Sequence, residues 1–431
     1  MPTLEELSVS TRTEGRPVQP LFVVLVTLAL VLLVLVAVLP NLWYGMHDVS
    51  DIPVYQAYAD QIAQGLTPYL DFDVEYPPLA VPLFRLPGAD IPIEVFMRRF
   101  SIAMGVATML AGALVALASC ALWPRGRRAY VAGALYALGV ALTGALIVNR
   151  YDVAVAVVVA AFLLCLVRRW HTVAAIVLGV GFALKITPAA LLPLVLLLAG
   201  PPRRWTWPVI GFGSAALAGF LPYLVTAPAG VWHVLQYHLE RPLQLESVLG
   251  TPMLFGQAVG AWAAQVGHSH GSHQLVAAGA DLAADLSGVL TLAALLAAYV
   301  VLLRGRAHLR SSPAALPLAV LTLLLALMTF GKVLSPQYFI WILPAWALVA
   351  CRDVWVGTLG GLTLALTQAE FPAQYWNLLE MQPAPLAVVV VRNTLLLVTF
   401  AVTLWRVWRL PAGPVAAARP EATTRPLHAS R

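Results

Sequence analysis

Long apolar runs recur along this chain, and they constrain its fold more than any other feature. Each run has about 18–22 residues, which is enough helix to cross the hydrocarbon core of a bilayer. Charged residues make up only 11% of the 431 residues, whereas soluble globular proteins average about 25%. The mean hydropathy is +0.83. The sequence therefore predicts an all-α polytopic membrane protein.

We expect a bundle of about 10–12 transmembrane helices. Two of the apolar runs are short because Lys185, Thr187 and Pro188 separate them, and they could form two short spans or one re-entrant hairpin. The predicted spans are residues 21–40, 101–123, 130–148, 152–167, 172–184, 188–200, 207–225, 284–303, 314–331, 337–350, 354–371 and 386–405.

Short clusters of arginine lie between successive apolar runs and predict the topology. Such clusters stay on the cytoplasmic side of the plasma membrane. Both termini are therefore expected in the cytoplasm, and the net charge of +6 is not a nucleic-acid signal because it resides in these clusters. The predicted organisation is a cytoplasmic segment 1–20, a membrane domain 21–405 with external loops 41–100, 226–283 and 372–385, and a disordered cytoplasmic tail 406–431.

The first external loop is polar and rich in carboxylates, although it lies between two apolar runs. Residues 54–64 have apolar and aromatic side chains at helical spacing, which predicts an amphipathic helix. Asp51 stands just before this helix. It could be the N-cap of the helix, a catalytic carboxylate, or both.

Three further acids of this loop follow a pattern of alternation. Asp71, Asp73 and Glu75 are separated by single apolar residues, which would place all three on one side of an extended segment. The prolines after Tyr76 favour that extended backbone. A solvated loop is an equally good explanation of the pattern.

Several cations occur at or near helix ends, where they could hold a phosphate. Lys185 interrupts an apolar stretch, a costly position that usually serves a cavity or a partner. Lys332 lies at an external helix end, and Arg392 lies a few residues inside the last span. The alternative for Lys332, and with less weight for Lys185, is that the side chain extends to the lipid headgroups. The neighbours Arg150 and Asp152 could belong to the same site or form a salt bridge between two helices.

The second external loop contains a dense polar segment and a histidine cluster. Residues 238–247 combine acids, donors and Arg241, whose guanidinium suits phosphate recognition, although a surface helix would look similar. His268, His270 and His273 have metal-ligand spacing, but the glycines and serines around them indicate a flexible loop tip. We predict no metal site there.

Six short motifs follow one another along the chain. They are D-I-P-V-Y (51–55), G-L-T-P-Y-L-D-F-D-V-E-Y-P-P (65–78), N-R-Y-D (149–152), K-I-T-P (185–188), R-P-L-Q-L-E-S (241–247) and K-V-L-S-P-Q-Y (332–338). In this order they resemble glycosyltransferase family 87, whose members are GT-C-type polytopic enzymes and include mannosyltransferases that use polyprenyl-phosphate mannose. The resemblance covers roughly residues 20–405.

The resemblance implies a GT-C-like bundle with an active site on the external face. It implies transfer of a sugar, typically mannose, from a polyprenyl-phosphate donor to a hydroxyl of a lipid-linked or polysaccharide acceptor, with inversion. It assigns the role of base to Asp51 and requires no cofactor or metal. The expected substrate-binding residues are Tyr55, Asp71, Asp73, Glu75, Tyr76, Arg150, Asp152, Lys185, Arg241, Gln244, Glu246, Ser247, Lys332, Gln337 and Tyr338.

The chain departs from some family members at one position. They have a pair of histidines after the Ser-Pro that precedes a late helix, whereas Gln337 and Tyr338 stand here. A second acid–base partner at this place is therefore absent or replaced, and the acceptor could differ.

A multi-pass transporter or lipid-linked sugar flippase is the main alternative function. Broken helices and cations within the membrane are also typical of transporters. Against it, the polar residues crowd one face of the predicted bundle, whereas solute-binding groups of a transporter should lie near the midplane. A scaffold for other membrane enzymes would leave Lys185 unexplained.

Overall fold

Regular structure is almost entirely helical within residues 17–41 and 50–413, which the computed structural model describes. The helices are α1 (Pro20–Leu33), α2 (Ile52–Ala63), α3 (Val81–Arg85), α4 (Ile93–Leu122), α5 (Arg128–Thr143), α6 (Leu146–Asn149), α7 (Asp152–Val167), α8 (His171–Leu184), α9 (Leu192–Ala199), α10 (Thr206–Thr226), α11 (Pro228–Glu240), α12 (Thr251–Ala258), α13 (Ala280–Arg304), α14 (Arg306–Ser311), α15 (Leu316–Phe330), α16 (Phe339–Ala350), α17 (Val354–Glu370), α18 (Tyr375–Leu379) and α19 (Pro383–Trp408).

Two strands, β1 (Ala264–Ser269) and β2 (Ser272–Ala277), pair in an antiparallel hairpin. Residues 1–16, 42–49 and 414–431 lie outside the described residues. The predicted cytoplasmic location of both ends of the chain, and part of the first external loop, therefore concern residues that the structure does not describe.

Within the described residues, six helices are long and apolar enough to cross a membrane, which confirms the prediction of a polytopic membrane protein. They are Pro20–Val38, Ile93–Leu122, Thr206–Thr226, Ala280–Arg304, Pro313–Phe330 and Pro383–Trp408. The helix predicted over 101–123 begins earlier, at Ile93, because the charged residues that precede the apolar run also favour helix.

Five further apolar helices are shorter, and most of them pack in the interior of the bundle. In α16 every residue from Phe339 to Val349 is buried, and α7 is almost as completely enclosed. The long helices α1, α10 and α13 instead expose large apolar side chains along their length. A short apolar helix is tolerated at membrane depth where neighbouring protein surrounds its ends.

The two short predicted spans at 172–184 and 188–200 correspond to α8 and α9. Between them the chain is extended at Lys185 and then forms a 3-10 turn over Thr187–Leu191. Helix α8 therefore ends at Leu184, and Pro188 lies in the first turn of the 3-10 segment, where its missing N–H leaves no hydrogen bond unmade.

The helices gather polar residues at one end of the bundle and arginines at the other. Helix α7 begins at Asp152 and α8 ends at Leu184, so the residues flanking them at this end include Arg150 and Lys185. At their opposite ends these two helices are joined through Arg168 and Arg169. The two ends of the bundle are therefore chemically distinct.

The predicted amphipathic helix after Asp51 is present as α2. The predicted flexible tip around the three histidines is wrong, because this region forms the β1–β2 hairpin. His270 and Gly271 make its turn with φ values of 47° and 62°. Two successive positive φ angles are typical of the type I′ turn, which matches the twist of a two-residue hairpin.

Close packing of α8 against α10 depends on glycine. A Cβ added at Gly179 would meet the backbone oxygen of Phe212 and approach the Cβ of Ala215 to 2.9 Å, whereas a Cβ at Gly213 on α10 would meet nothing within 4 Å. Gly179→Ala is therefore expected to separate the helices and to cost about 1–3 kcal/mol of stability.

The measurement is the midpoint of thermal unfolding in detergent, with Gly213→Ala as the matched control. The midpoint of Gly179→Ala should be clearly lower than that of wild type, and the control should be within experimental error of it. Equal midpoints for the two variants would contradict this account of the packing.

Candidate active site

A cavity of about 620 Å³ opens at the polar end of the bundle. Its walls come from the start of α2, the loop before α3, the α7 and α8 ends, the segment after α11, the hairpin turn, and the start of α16. The predicted site residues that line it are Asp51, Glu75, Tyr76, Arg150, Lys185, Arg241, Gln244, Glu246, Gln337 and Tyr338.

Asp51 lies in the wall of this cavity and precedes α2, as an N-cap residue would. Its carboxylate nevertheless accepts no backbone hydrogen bond, and the hydroxyl of Ser50 accepts from Ile52 N instead at 3.1 Å. Pro53 occupies the second position of the helix and has no N–H to offer. The capping prediction is therefore wrong for the side chain, whose carboxylate is left for other contacts.

The main contact of the Asp51 carboxylate is with Arg150. The distance from Arg150 Nε to Asp51 Oδ2 is 3.3 Å, and the two side chains are 5% and 32% exposed. Tyr55 Oη is 3.5 Å from the same oxygen, too far to hold it firmly. The buried guanidinium thus orients a carboxylate that stays open to the cavity.

Lys185 reaches the cavity at the break between α8 and α9. Its Nζ lies 2.6 Å from Asp152 Oδ1, which also accepts from Trp341 Nε1 at 2.7 Å. The ammonium also faces the rings of Tyr151, Tyr338 and Trp341 at 4.7–5.0 Å. This cage of one carboxylate and three aromatic rings stabilises a cation that is only 16% exposed.

Asp152 itself does not line the cavity, because it lies behind Lys185 and is almost completely buried. Arg150 and Asp152 also do not form with each other the salt bridge that was the predicted alternative. Each of the two pairs with a different partner, Arg150 with Asp51 and Asp152 with Lys185.

Of the three alternating acids Asp71, Asp73 and Glu75, Glu75 enters the cavity. Burial raises the pKa of its carboxyl, and the hydrogen bond from Tyr237 Oη and the charge of Arg241 oppose that rise. Arg241 stacks over the Tyr237 ring at 5.8 Å. With Arg150 and Lys185, Arg241 is thus a third cation that lines the cavity, and it comes from the segment that follows α11.

Asp71 and Asp73 do not share this position, so the predicted row of three acids on one side is wrong. The chain turns at Tyr69, whose φ is 67°, and Asp71 Oδ2 accepts from Thr67 N at 2.7 Å to close the turn. Asp73 is 90% exposed and lies 3.6 Å from His233. Only Glu75 follows the loop far enough to reach the cavity.

Two of the predicted phosphate-binding cations have other partners. The ammonium of Lys332 donates to the backbone oxygen of Leu239 and does not line the cavity. Arg392 is fully buried and donates to Glu370 Oε2 at 2.7 Å and to the backbone oxygen of Glu246 at 2.8 Å. Both side chains join elements of the fold.

Glu246 connects this buried network to the cavity. Its side chain accepts from Gln244 Nε2 at 2.9 Å and lies 3.8 Å from Arg392 Nη1. Two carboxyls, Glu246 and Glu370, thus share a single guanidinium. Burial, followed by the charge of Glu370, raises the pKa of Glu246 well above its ordinary value.

The remaining predicted residues have structural contacts. Ser247 accepts from Gly250 N at 3.1 Å and begins a 3-10 turn. Tyr55 is completely buried and stacks on Phe84 with ring centroids 4.4 Å apart. The Gln337 amide accepts from Ser335 at 2.5 Å at the cavity edge.

Several aromatic and histidine side chains of the cavity were not predicted. Trp341 and Tyr375 lie in apolar or loop sequence that carries no functional signal, and Tyr151 belongs to the N-R-Y-D motif (149–152) but was not among the expected site residues. His238 was within the polar segment that we noted, and burial lowers its pKa to about 4. His268 and His273 are paired across the hairpin and line the cavity, which the H-x-H-x-x-H spacing could have indicated.

A second, apolar cavity of about 250 Å³ adjoins the first. Pro77 and Ile186 line both cavities, and the apolar one is otherwise formed by Phe182 of α8 and by α10 and α11 side chains such as Phe220 and Trp232. Within the described part of the chain, no group of three or more His, Cys, Asp or Glu side chains could hold a metal ion.

Comparison with known proteins gives distant structural likenesses. No protein-family model matches the chain, and no curated protein sequence does. The chain is similar to ArnT from Cupriavidus metallidurans bound to undecaprenyl phosphate, with 17% identity, a TM-score of 0.46, and coverage of 88% of this chain and 76% of that one. It is also similar to the Archaeoglobus fulgidus oligosaccharyltransferase in the apo form, with 13% identity, a TM-score of 0.43, and coverage of 92% and 56%.

The raised pKa of Glu246 predicts a pH dependence of stability. The folded protein holds this proton more tightly than the unfolded chain, whose pKa is near 4.5. The contribution of this group to stability is therefore largest below the unfolded pKa and is lost as the pH rises through the window above it. Glu246→Gln removes that loss, so its unfolding midpoint should fall less than that of wild type between about pH 5 and pH 8.

Thermal unfolding in detergent across that pH range measures the difference. Asp73→Asn, which neutralises an exposed carboxylate, is the control and should follow the wild-type curve. Parallel curves for wild type and Glu246→Gln would show that Glu246 does not titrate in this window.

Proposed function

We propose that this protein is a membrane glycosyltransferase of the GT-C type that uses a polyprenyl-phosphate sugar as donor. The observation that carries the proposal is the pair of adjoining cavities. One is polar and is lined by three carboxyl groups and three cations, which are Asp51, Glu75, Glu246, Arg150, Lys185 and Arg241. The other is apolar, and Pro77 and Ile186 are common to both. A substrate with a charged phosphate and a hydrocarbon tail has the same two-part chemistry.

The donor phosphate is assigned to the cations of the polar cavity. Lys185 lines the polar cavity, and the next residue, Ile186, lines both cavities. Arg241 faces the same space from the segment after α11. A leaving phosphate gains negative charge as the sugar departs, and positioned cations stabilise that charge more in the transition state than in the ground state.

The first isoprene units are assigned to the apolar cavity. Its lining, which includes Phe182, Phe220 and Leu224, presents almost no polar surface to a bound chain. Burial of hydrocarbon there contributes binding free energy of about 0.8 kcal/mol per CH₂ group. The rest of the lipid tail can extend along the exposed apolar faces of the bundle.

Asp51 is proposed as the base. A sugar hydroxyl is a poor nucleophile, and a carboxylate that takes its proton during attack makes it an effective one. Asp51 is suited to this because Arg150 fixes its orientation and 32% of its side chain remains exposed. Glu75, on another wall of the cavity, is proposed to orient the acceptor.

The proposed transfer is a single displacement at the anomeric carbon of the sugar. The acceptor oxygen forms a bond to the anomeric carbon as the bond from that carbon to the phosphate oxygen breaks. The proton passes to Asp51, and the phosphate leaves with the electron pair. Attack from the face opposite the leaving group inverts the anomeric configuration.

The finer assignments rest on the resemblance to family 87. They are mannose as the sugar, a lipid-linked or cell-envelope glycan as the acceptor, and the external face of the plasma membrane as the location. The arginines at the opposite end of the bundle support this orientation, since such clusters stay in the cytoplasm.

Asp51→Asn should abolish transfer without changing the fold. Loss of a general base costs about 10²–10⁴-fold in rate. The assay supplies radiolabelled polyprenyl-phosphate mannose and a panel of lipid-linked acceptors to purified protein in detergent. Asp73→Asn, a neutralised acid of the same loop outside the cavity, is the matched control and should retain activity.

Product from wild type and the control but not from Asp51→Asn would support both the transferase and its base. Wild-type rates in Asp51→Asn would exclude this residue as the base. Absence of product with any sugar donor would count against the transferase and in favour of a transporter, which requires sealed vesicles to be scored.

Lys185→Gln should reduce transfer by about 10²–10³-fold, because it removes a preorganised positive charge from the leaving phosphate. Lys332→Gln is the matched control, since Lys332 does not line the cavity. Single-turnover rates at saturating donor measure the effect on the chemical step. Equal losses in the two variants would contradict a specific role of Lys185.

A further inference from the structure

A larger cavity, of about 790 Å³, lies at the arginine-rich end of the bundle and plays no part in the proposed transfer. Three turns form it: the α7–α8 turn, the segment from α9 to α10, and the α14–α15 turn. Arg169, Arg203, Arg204 and Arg310 line it, and its lining residues include no Asp or Glu. Four positive charges therefore face one space without a carboxylate to balance them.

The positions of these guanidiniums are set by the surrounding turns. Arg310 donates through Nε and Nη2 to the backbone oxygen of Leu197. The indole of Trp205 donates to the backbone oxygen of Gly200 at 3.1 Å, which holds the turn that carries Arg203 and Arg204. Within the described residues, no carboxylate lies within salt-bridge distance of any of the four arginines.

The surroundings of the cavity place it at the level of the lipid headgroups. Trp170 and Trp207 line it and are 52% and 70% exposed. Tryptophan is enriched at the boundary between hydrocarbon and water. The apolar side chains of Leu166, Leu198 and Leu316 form the remainder of the wall.

An apolar track leads away from this cavity along one face of α8. Val173 lines the cavity, and Ile176 and Val180 follow it at spacings of three and four residues, all exposed. Residues at that spacing lie on the same face of a helix. A hydrocarbon chain attached to a headgroup in the cavity could therefore pack along α8.

We propose that this cavity binds an anionic phospholipid that carries two phosphate groups, with acyl chains along the exposed face of α8. A phosphodiester carries one negative charge, and guanidinium groups suit bidentate phosphate recognition, so four arginines match two phosphates better than one. Basic pockets between helices on the cytoplasmic side are typical sites for such headgroups. The bound lipid is distinct from the sugar donor, which is assigned to the other end of the bundle.

Native mass spectrometry of the purified full chain, titrated with cardiolipin or with phosphatidylcholine, tests the proposal. Wild type should retain one cardiolipin in clear preference to phosphatidylcholine. Arg169→Gln/Arg203→Gln/Arg204→Gln should weaken that binding by at least about tenfold, because each basic residue near a headgroup contributes to the attraction. Arg310 is left unchanged, since its bonds to Leu197 support the fold.

The matched control removes three arginines from another turn at the same end, as Arg125→Gln/Arg127→Gln/Arg128→Gln. It should bind cardiolipin as wild type does. Equal weakening in the two triple variants would mean general surface attraction and would overturn the proposal, as would equal retention of the two lipids by wild type. Displacement of cardiolipin by millimolar inorganic phosphate would identify a soluble phosphate compound as the occupant and would also overturn it.

Discussion

The ion pair between Lys185 and Asp152 is the interaction on which the polar end of this molecule depends. Asp152 Oδ1 accepts from Lys185 and from Trp341 Nε1, at 2.6 and 2.7 Å. One carboxylate oxygen therefore joins the beginning of α7, the end of α8 and the beginning of α16. A buried pair of this kind costs desolvation, and it is tolerated where geometry and additional hydrogen bonds compensate. Here the additional contacts are the indole N–H and three aromatic rings.

The buried ion pairs differ in how far both partners are enclosed, and this difference decides which charged groups are available for chemistry. Arg392 is enclosed by Glu246, Glu370 and Asn393, so its charge is used inside the fold. Arg150 is equally buried, but its partner Asp51 remains partly exposed. The first arrangement connects α17 and α19 to the segment after α11. The second holds one carboxylate at a fixed place in the cavity wall.

The two ends of the bundle differ in the charged side chains that line their cavities. At the polar end, single cations alternate with carboxylates and lie beside an apolar cavity, which suits one substrate with a phosphate and a long tail. At the other end, four guanidiniums share a cavity without acids. The connecting helices α7 and α8 extend from one site to the other, so each site is built on the ends of the same elements.

Hydrophobic patterning alone was enough to predict the membrane class, the approximate helices and the break at Lys185, because apolar runs and their interruptions are local in sequence. The amphipathic helix after Asp51 was predictable for the same reason. Charged side chains at the ends and interruptions of those runs drew attention to Glu75, Arg150, Lys185 and Arg241, and the resemblance to family 87 placed the same residues in its motifs. The resemblance could not distinguish the residues of each motif that line the cavity from the residues that do not.

Tertiary structure decided which of those residues meet. Asp71 and Glu75 are four residues apart and look equivalent in sequence, yet a turn at Tyr69 directs only Glu75 into the cavity. Arg392 was a candidate phosphate ligand in the sequence, but in the structure its guanidinium donates to Glu370, which is distant in sequence. Trp341 carried no signal within its apolar helix. Which side chains pair depends on which helix ends come together in the fold. That arrangement is set by contacts between residues far apart in sequence, and local spacing does not predict it.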